Sequence, residues 1–501
     1  MVSLNLNHIL FNFLLLLLNN KLDWHTRNRI YPLKYVPYAK DPLLGEKNGP
    51  SIGIRSSIAV HGAEKTKSRM ETSLIWFGNN LRIQDNEALY KAAKADRLVA
   101  VYFFDPRQFQ VNSFGFKKME RFRAKFLLES VHQLQKNLEK INITLLVYHE
   151  KPEAKIPELV QRFNINSIYL QHEWTSEENQ VIQNVENRVP HSVAFHKTMD
   201  QFLFHPEDIP FDSYAQIPQV FTVFRKKCEK HVQVRPCYDK PRVFPSDNRM
   251  ESQPHPLSLE DLGFSHFEAD HRSAFPFKGG ENNALKRLQH YFWDSKKLAY
   301  YKKTRNGLVG TDYSSKLSPW LANGSISART IYWEIKRFEN EIKKNQDTYW
   351  LIFELIWRDY FKYVSLKHGN QIFKIDGILK KDYHWHTNEA AKHDWINGET
   401  DDDFVNANMI ELKKTGWMSN RGRQNVASYW SKHLQQDWRI GASYFEAMLI
   451  DYDVHSNWGN WMYNSGVGND PRNRTFNTER QAERYDPYKK FQRLWLQPTL
   501  F

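Results

Sequence analysis

GWMSNRGRQNVASYW, residues 416–430, crowds Asn420, Arg421, Arg423, Gln424 and Asn425 between Trp417, Met418, Tyr429 and Trp430. A surface helix would set such polar groups in water and carry fewer tryptophans, whereas a core helix would carry fewer arginines. The stretch therefore reads as polar groups held inside an aromatic shell, which suits a bound polar ligand. The aromatic bias spreads outward from it. Of 16 tryptophans, 13 lie between Trp293 and Trp495, so the C-terminal half is built differently from the rest.

Composition narrows the class. A chain of 501 residues is long enough for two or three domains. Hydrophobic residues at 41% and charged residues at 25% are those of a globular protein. A formal net charge of +13 suits a polyanionic partner without requiring one. Two cysteines, Cys228 and Cys237, argue against a disulfide framework and against thiolate metal clusters.

The pattern along the chain divides it. Residues 1–69 read as an extension outside the fold: a poorly ordered tail, a targeting segment, or an upstream translation artefact with Met70 as the natural start. Its apolar run ILFNFLLLLL (9–18) is too short to span a bilayer and no basic segment precedes it, so no membrane association is expected. A bacterial source would make the protein cytoplasmic; a genuine targeting segment would make it organellar or nuclear. Residues 70–204 carry short apolar runs, SLIWF (73–77), RLVAVYFF (97–104), ITLLVY (143–148) and SIYL (167–170), alternating with amphipathic segments such as 119–140. That alternation predicts an α/β domain with a doubly wound parallel sheet. No GxGxxG follows the first strand, so a dinucleotide fingerprint is absent. Residues 205–279, rich in Pro, Ser and aromatics, read as a connector over the surface, and residues 280–501 as an all-α domain.

Four constellations could carry chemistry. In DYSSKLSPWLANGSIS (312–327), Ser314, Ser315 and Ser318 precede a Pro-started helix, an arrangement that suits phosphate oxygens but reads equally as a plain helix cap. In WLIFELIWRDYF (350–361), Glu354 and Arg358 fall on one helix face with Trp350 and Trp357 nearby, a site for a base edge and a stacking ring, or simply an ion pair on a core helix. In LIDYDVHSNWGNWMYNSG (449–466), Asp451 and Asp453 are both able to answer Arg423. In YHWHTNEAAKH (383–393), His384, His386 and His393 lack any metal-binding frame, so no metal is expected.

Taken in order, WFGNNLRIQDN (76–86), DYSSKLSPWLANGSIS, TYWLIFELIWRDYF (348–361), TGWMSNRGRQNVAS (415–428) and DYDVHSNWGNWMYNSG (451–466) resemble the photolyase/cryptochrome family, and within it the DASH cryptochromes, over roughly residues 72–495. The resemblance implies an α/β antenna domain followed by an all-α domain that binds FAD. It implies that Tyr301, Ser314, Ser315, Lys316, Leu317 and Ser318 contact the FAD phosphates and ribose. Asn420 and Arg423 match flavin contacts, Asp451 the partner of Arg423, and Asp453 a residue near the flavin edge. Asn457 matches the residue facing flavin N5, where a neutral amide favours the fully reduced flavin used in repair. Trp461, Trp438 and Trp385 match the chain that passes electrons from the surface to the flavin.

The same resemblance implies that Glu354 and Trp357 meet damaged bases and that Arg305, Arg358 and Arg421 clamp DNA phosphates. Glu173, in HEWTSEE, matches a carboxylate presented to an antenna, 5,10-methenyltetrahydrofolate. Gln424 and Tyr463 replace the Met and Trp common in other cyclobutane photolyases, which weakens the apolar wall and favours single-stranded DNA bearing pyrimidine dimers. Gly78 and Asn80 depart from the Arg and Asp usual in the first motif. The expected protein is a monomeric photolyase-like lyase. A blue-light photoreceptor that binds DNA without repair is the alternative, disfavoured by the short stretch after the last motif.

Overall fold

The computed structural model describes residues 70–250 and 256–497, so the expected extension, residues 1–69, lies outside the described residues. Strand β1 (Thr72–Phe77) is buried along nearly its whole length, as an apolar run covered on both faces must be. It pairs in parallel with β2 (Arg97–Phe103) on one side and β4 (Ser167–Gln171) on the other. Strand β3 (Leu145–Tyr148) extends β2, and β5 (Ala194–Thr198) extends β4. The order β3-β2-β1-β4-β5 is a doubly wound parallel sheet. The sequence pattern missed β5. Its AFHKT is mostly exposed or half-buried, so it lacks the apolar run that marks the inner strands.

Helix α1 (Arg121–Glu139) packs two ways. Ala124, Leu127, Leu128, Val131 and Leu134 join the core against the sheet, whereas Phe122 and Phe126 join the core of the helical half. The connector is not merely a surface wrap. It contains α2 (Phe221–His231), which buries Phe221, Phe224 and Cys228 at helical spacing against the same helical core. That stripe, in FTVFRKKC, is too short to mark a helix in the sequence.

The helical half is built from α3 (Ala328–Glu341), α4 (Gln346–His368), α5 (Asp403–Thr415), α6 (Asn420–Ser428), α7 (Trp438–Met448) and α8 (Val454–Ser465). Helix α4 begins in a capping box, with Asn345 and Thr348 each bonding the other's backbone, and stops at Gly369. No helix among the described residues is long and apolar enough to cross a membrane.

The first motif, WFGNNLRIQDN, fastens the sheet to the helical half. Arg329 of α3 reaches Asp85 through two hydrogen bonds of 2.7 and 3.0 Å, and Ser327 Oγ donates to the same carboxylate at 2.5 Å. Arg82 pairs with Asp200 at 3.2 Å and donates to the Gly324 carbonyl at 2.9 Å. Leu81 N–H donates to the Asn323 carbonyl, and a Cβ on Gly324 would stand 1.9 Å from the Asn79 carbonyl oxygen. Gly324, at φ +71°, is therefore required by both conformation and space. Of the two departures in this motif, Asn80 closes a turn by accepting from Gly78 N–H at 2.9 Å, while Gly78 faces open space that would hold a larger side chain.

Removing one member of a buried ion pair strands the other charge and costs about 3–5 kcal/mol. Arg329→Met should lower unfolding stability by that order, read from the denaturant midpoint at unchanged slope. A shift equivalent to under ~1 kcal/mol would show that Ser327 and water suffice for Asp85.

Candidate functional site

A cavity of about 250 Å³ opens in the helical half. Tyr301, the loop Ser314, Ser315, Lys316, Leu317 and Ser318, Glu354 and Arg358 of α4, Asn420 and Arg423 of α6, and Asp451 and Asp453 all line it. A smaller chamber of about 100 Å³ shares Asn420, Arg423, Asp451 and Asp453 and adds Gln424, Asn457 and Trp461. Residues scattered over some 160 positions thus meet around one space.

Charge is balanced locally. Arg423 donates to both oxygens of Asp451 at 2.9 Å, and Ser318 Oγ donates to Asp451 at 2.7 Å. Asp453 does not answer Arg423. Its carboxylate accepts from Ser456 N–H as the cap of α8 and pairs with Lys362 Nζ at 3.0 Å. Burial works to raise the Asp453 pKa, but Lys362 and the other cations around it hold the group well below the usual carboxylate range. Asn457 Nδ2 donates to the Ala442 carbonyl, leaving the amide oxygen as the end able to accept. Burial pushes the Tyr301 hydroxyl up to about 12, so it stays a neutral donor.

The rim differs from the sequence reading in three places. Glu354 pairs not with Arg358 on its own helix but with Arg305 at 2.8 Å. Arg358 is no phosphate clamp: it turns inward and donates to the backbone carbonyls of Gln201 and Leu321. Trp357 has one face already covered, by Phe221 of α2 at a centroid distance of 3.6 Å, and meets Tyr463 edge-on at 5.8 Å. Arg421 lies over the Tyr485 ring and bonds Asn306 and Gln481, and Tyr463 OH accepts from Arg474.

Of the three expected relay tryptophans, Trp461 and Trp438 are fully buried and Trp385 is half-buried. The ring neighbours of Trp461 are Phe445 at 5.1 Å and Trp395 at 6.2 Å; Trp438 meets Trp458 at 5.7 Å and Trp385 meets Tyr383 at 5.9 Å. Gly441, one turn beyond Trp438 on α7, leaves room for the Trp461 ring, which a Cβ there would approach to 2.2 Å. Sequence reasoning overlooked Trp395, Lys362 and Phe221, since none stands within a motif that signals chemistry by itself.

A second cavity, of about 140 Å³, sits where the carboxyl ends of β1 and β4 part, the topological switch point of the sheet. Asn79 and Glu173 line it, and Glu173 accepts from Gln171 at 2.8 Å and from Asn79 at 3.4 Å. Burial raises the Glu173 pKa, opposed mainly by Lys362. Arg358 and Asp453 border both cavities, so the two lie back to back. His384 and His386 meet edge-on at 4.8 Å, whereas His393 faces Asp394 and Glu399 on the surface, so the three histidines form no common ligand set.

Comparison with known proteins fits this geometry. Residues 73–245 match the DNA photolyase domain and residues 350–500 the FAD binding domain of DNA photolyase. The chain is 46% identical over 432 residues to a cryptochrome DASH of Synechocystis sp., covering 85% of this chain and 87% of that one. It is 46% identical over 426 residues to the cryptochrome DASH of Xenopus laevis, covering 83% and 81%. The crystal structure of the Synechocystis cryptochrome superposes with a TM-score of 0.81, covering 85% of this chain and 88% of that one at 46% identity. The chain belongs to the photolyase/cryptochrome family, among the proteins named cryptochrome DASH.

Proposed function

We propose that this protein repairs cyclobutane pyrimidine dimers in light, mainly in single-stranded DNA. The observation that carries the reading is the position of Glu354 and Trp357. Both are half-buried on α4; Glu354 lines the cavity floored by Ser314, Ser315, Lys316, Leu317 and Ser318, and Trp357 lies one turn along the same helix. The cavity suits FAD. It offers the Ser314, Ser315 and Ser318 hydroxyls, the Arg423 guanidinium and a buried Lys316 ammonium with no hydrogen-bond partner, a donor set matched to a diphosphate. Arg423, Asp451 and the 314–318 loop would hold reduced flavin there, and its chemistry would be light-driven electron donation to the cyclobutane ring with the electron returned, so that no net oxidation or reduction would occur.

The chain's own groups do the rest. Arg423 and Asp451 orient the cofactor's polar end, and Asn457 offers a neutral acceptor that takes no proton. Trp357 stacks on a dimer through the face that Phe221 leaves open. Glu354 accepts from base edges once Arg305 is drawn toward a phosphate. Arg305 and Arg421, whose positive charges lie near each other, attract the backbone. Tyr463, tied to Arg474, and Gln424 make a polar wall, which gives little apolar contact to offset the few kcal/mol of extruding a dimer from duplex.

Illumination of the protein with reduced flavin should repair dimers in a single-stranded oligonucleotide far faster than in the matching duplex, with affinity falling as salt rises. Equal rates on both would reject the polar-wall argument. Absence of repair on either would move the assignment to the photoreceptor reading.

Trp461, against the second chamber, is the first donor of the electron relay, with Trp438 and the half-exposed Trp385 behind it. Trp461→Phe should abolish photoreduction of oxidised FAD while the protein stays yellow. Photoreduction at the wild-type rate would place the relay elsewhere.

The switch-point cavity is the antenna site, with the Glu173 carboxylate accepting from the donors of 5,10-methenyltetrahydrofolate. Glu173→Gln should weaken folate retention at least tenfold, about 1.4 kcal/mol, measured by absorbance after reconstitution and gel filtration. Equal retention by both proteins would dissociate Glu173 from the antenna.

A further inference from the structure

Glu173 is not the only acceptor in the switch-point cavity. His455 on the first turn of α8 is 2% exposed, Gln171 at the end of β4 is 5% exposed and Gln201 is 7% exposed. All three line the cavity, and His455 Nε2, Gln171 Oε1 and Gln201 Oε1 have no hydrogen-bond partner. What the amide nitrogens do fixes the orientation of the two glutamines. Gln171 Nε2 donates to the Glu173 carboxylate at 2.8 Å and Gln201 Nε2 to the His172 carbonyl at 3.1 Å, both of them acceptors. Each glutamine is therefore left with a bare carbonyl oxygen.

His455 is a bare acceptor too, and Ser365 decides it. The Ser365 hydroxyl oxygen stands 2.7 Å from Trp174 Nε1, 2.7 Å from His455 Nδ1 and 2.8 Å from the Lys362 carbonyl oxygen. An indole N–H can only donate and a carbonyl can only accept. Serine has a single proton, so all three contacts are satisfied only when Oγ donates to the carbonyl and Nδ1–H donates to Oγ. Nε2 then carries a lone pair. The ring is also held in place, stacked on Trp174 at 4.4 Å and 14°, with Phe202 stacked on Trp174 in turn at 5.5 Å. Burial, with Lys362 and Arg358 close by, holds the imidazole well below the usual histidine range against the pull of Asp453, so Nε2 stays unprotonated.

We propose that His455, Gln171 and Gln201 join Glu173 in an acceptor-rich wall that selects a heterocycle by its amino group. A ring with an amino group and a ring N–H on one edge binds; the same ring with a carbonyl in place of the amino group is rejected. The inference rests on the antenna reading of this cavity and adds its selectivity. A buried acceptor gains from a donor and is penalised when a second oxygen faces it. Arg123 Nε is the one unpartnered buried side-chain donor among the described lining residues, so the cavity also answers an acceptor on the ligand. Gln171 comes from the sheet and His455 from the helical half, so neither half carries the wall alone.

The test is direct binding of two fluorescent probes to the full chain: pterin, and lumazine, which has a carbonyl oxygen where pterin has its amino group. Pterin should bind about tenfold more tightly or better. His455→Phe keeps a ring against Trp174 and removes the acceptor. It should cut pterin affinity about tenfold and narrow the preference, and His455→Gln, which returns an amide oxygen to the wall, should restore both. Equal binding of pterin and lumazine by the wild type would overturn the proposal whether or not the variants fold. So would a His455→Phe protein, folded by circular dichroism, that keeps the wild-type affinity and preference. Binding of neither probe would overturn the wall as well. Preference for pterin in a wild type that does not retain 5,10-methenyltetrahydrofolate would overturn the antenna reading and leave the wall standing.

Discussion

The buried contact between Asp85 and Arg329 is the constraint on which the rest depends. Asp85 stands at the end of the first strand's loop and Arg329 at the start of α3, and neither reaches solvent. Two charges so placed are stable only while they meet, and Arg82 with Asp200 completes the balance on the sheet side. The contact fixes where the 323–327 turn lies, and only one short helix, Ser318–Ala322, separates that turn from the loop that floors the cofactor cavity. The motif in the α/β half therefore positions a site in the helical half.

Within the site, charge is settled by pairs that cross between elements. Asp451 is answered from α6 and from the loop, Asp453 from α4, and Glu354 from the residue after a short helix near 301–304. Each pair holds two segments at a set distance. Lys362 has a wider reach: it bonds Asp453 at the first cavity and opposes the burial that raises the Glu173 pKa at the switch-point cavity. The wall between the two cavities is thus built of charged groups.

Aromatic packing sets the remaining geometry. Trp395, Trp430, Trp438 and Trp461 are among the largest fully buried side chains, and only a missing Cβ at Gly441 admits the Trp461 ring beside α7. Glycine in a helix interior costs about 1 kcal/mol relative to alanine. It is kept here because the ring occupies that space. Aromatic packing also holds Trp357, stacked on Phe221 of the connector and met edge-on by Tyr463.

Sequence alone determined the class, the inner strands and the gathering of site residues, because buried parallel strands are apolar throughout and because the site residues lie in contiguous motifs. Asn420, Arg423 and Asp451 were legible in this way, and all line one cavity with Tyr301, which stands outside the motifs. Edge strand β5 and helix α2 were not legible, since exposure dilutes the hydrophobic pattern of the first and shortness hides the stripe of the second. Only the tertiary structure decided who pairs with whom. Helical spacing put Glu354 beside Arg358, yet Arg305, distant in sequence, stands closer in space and presents its charge to the rim, while Arg358 finds backbone carbonyls inside.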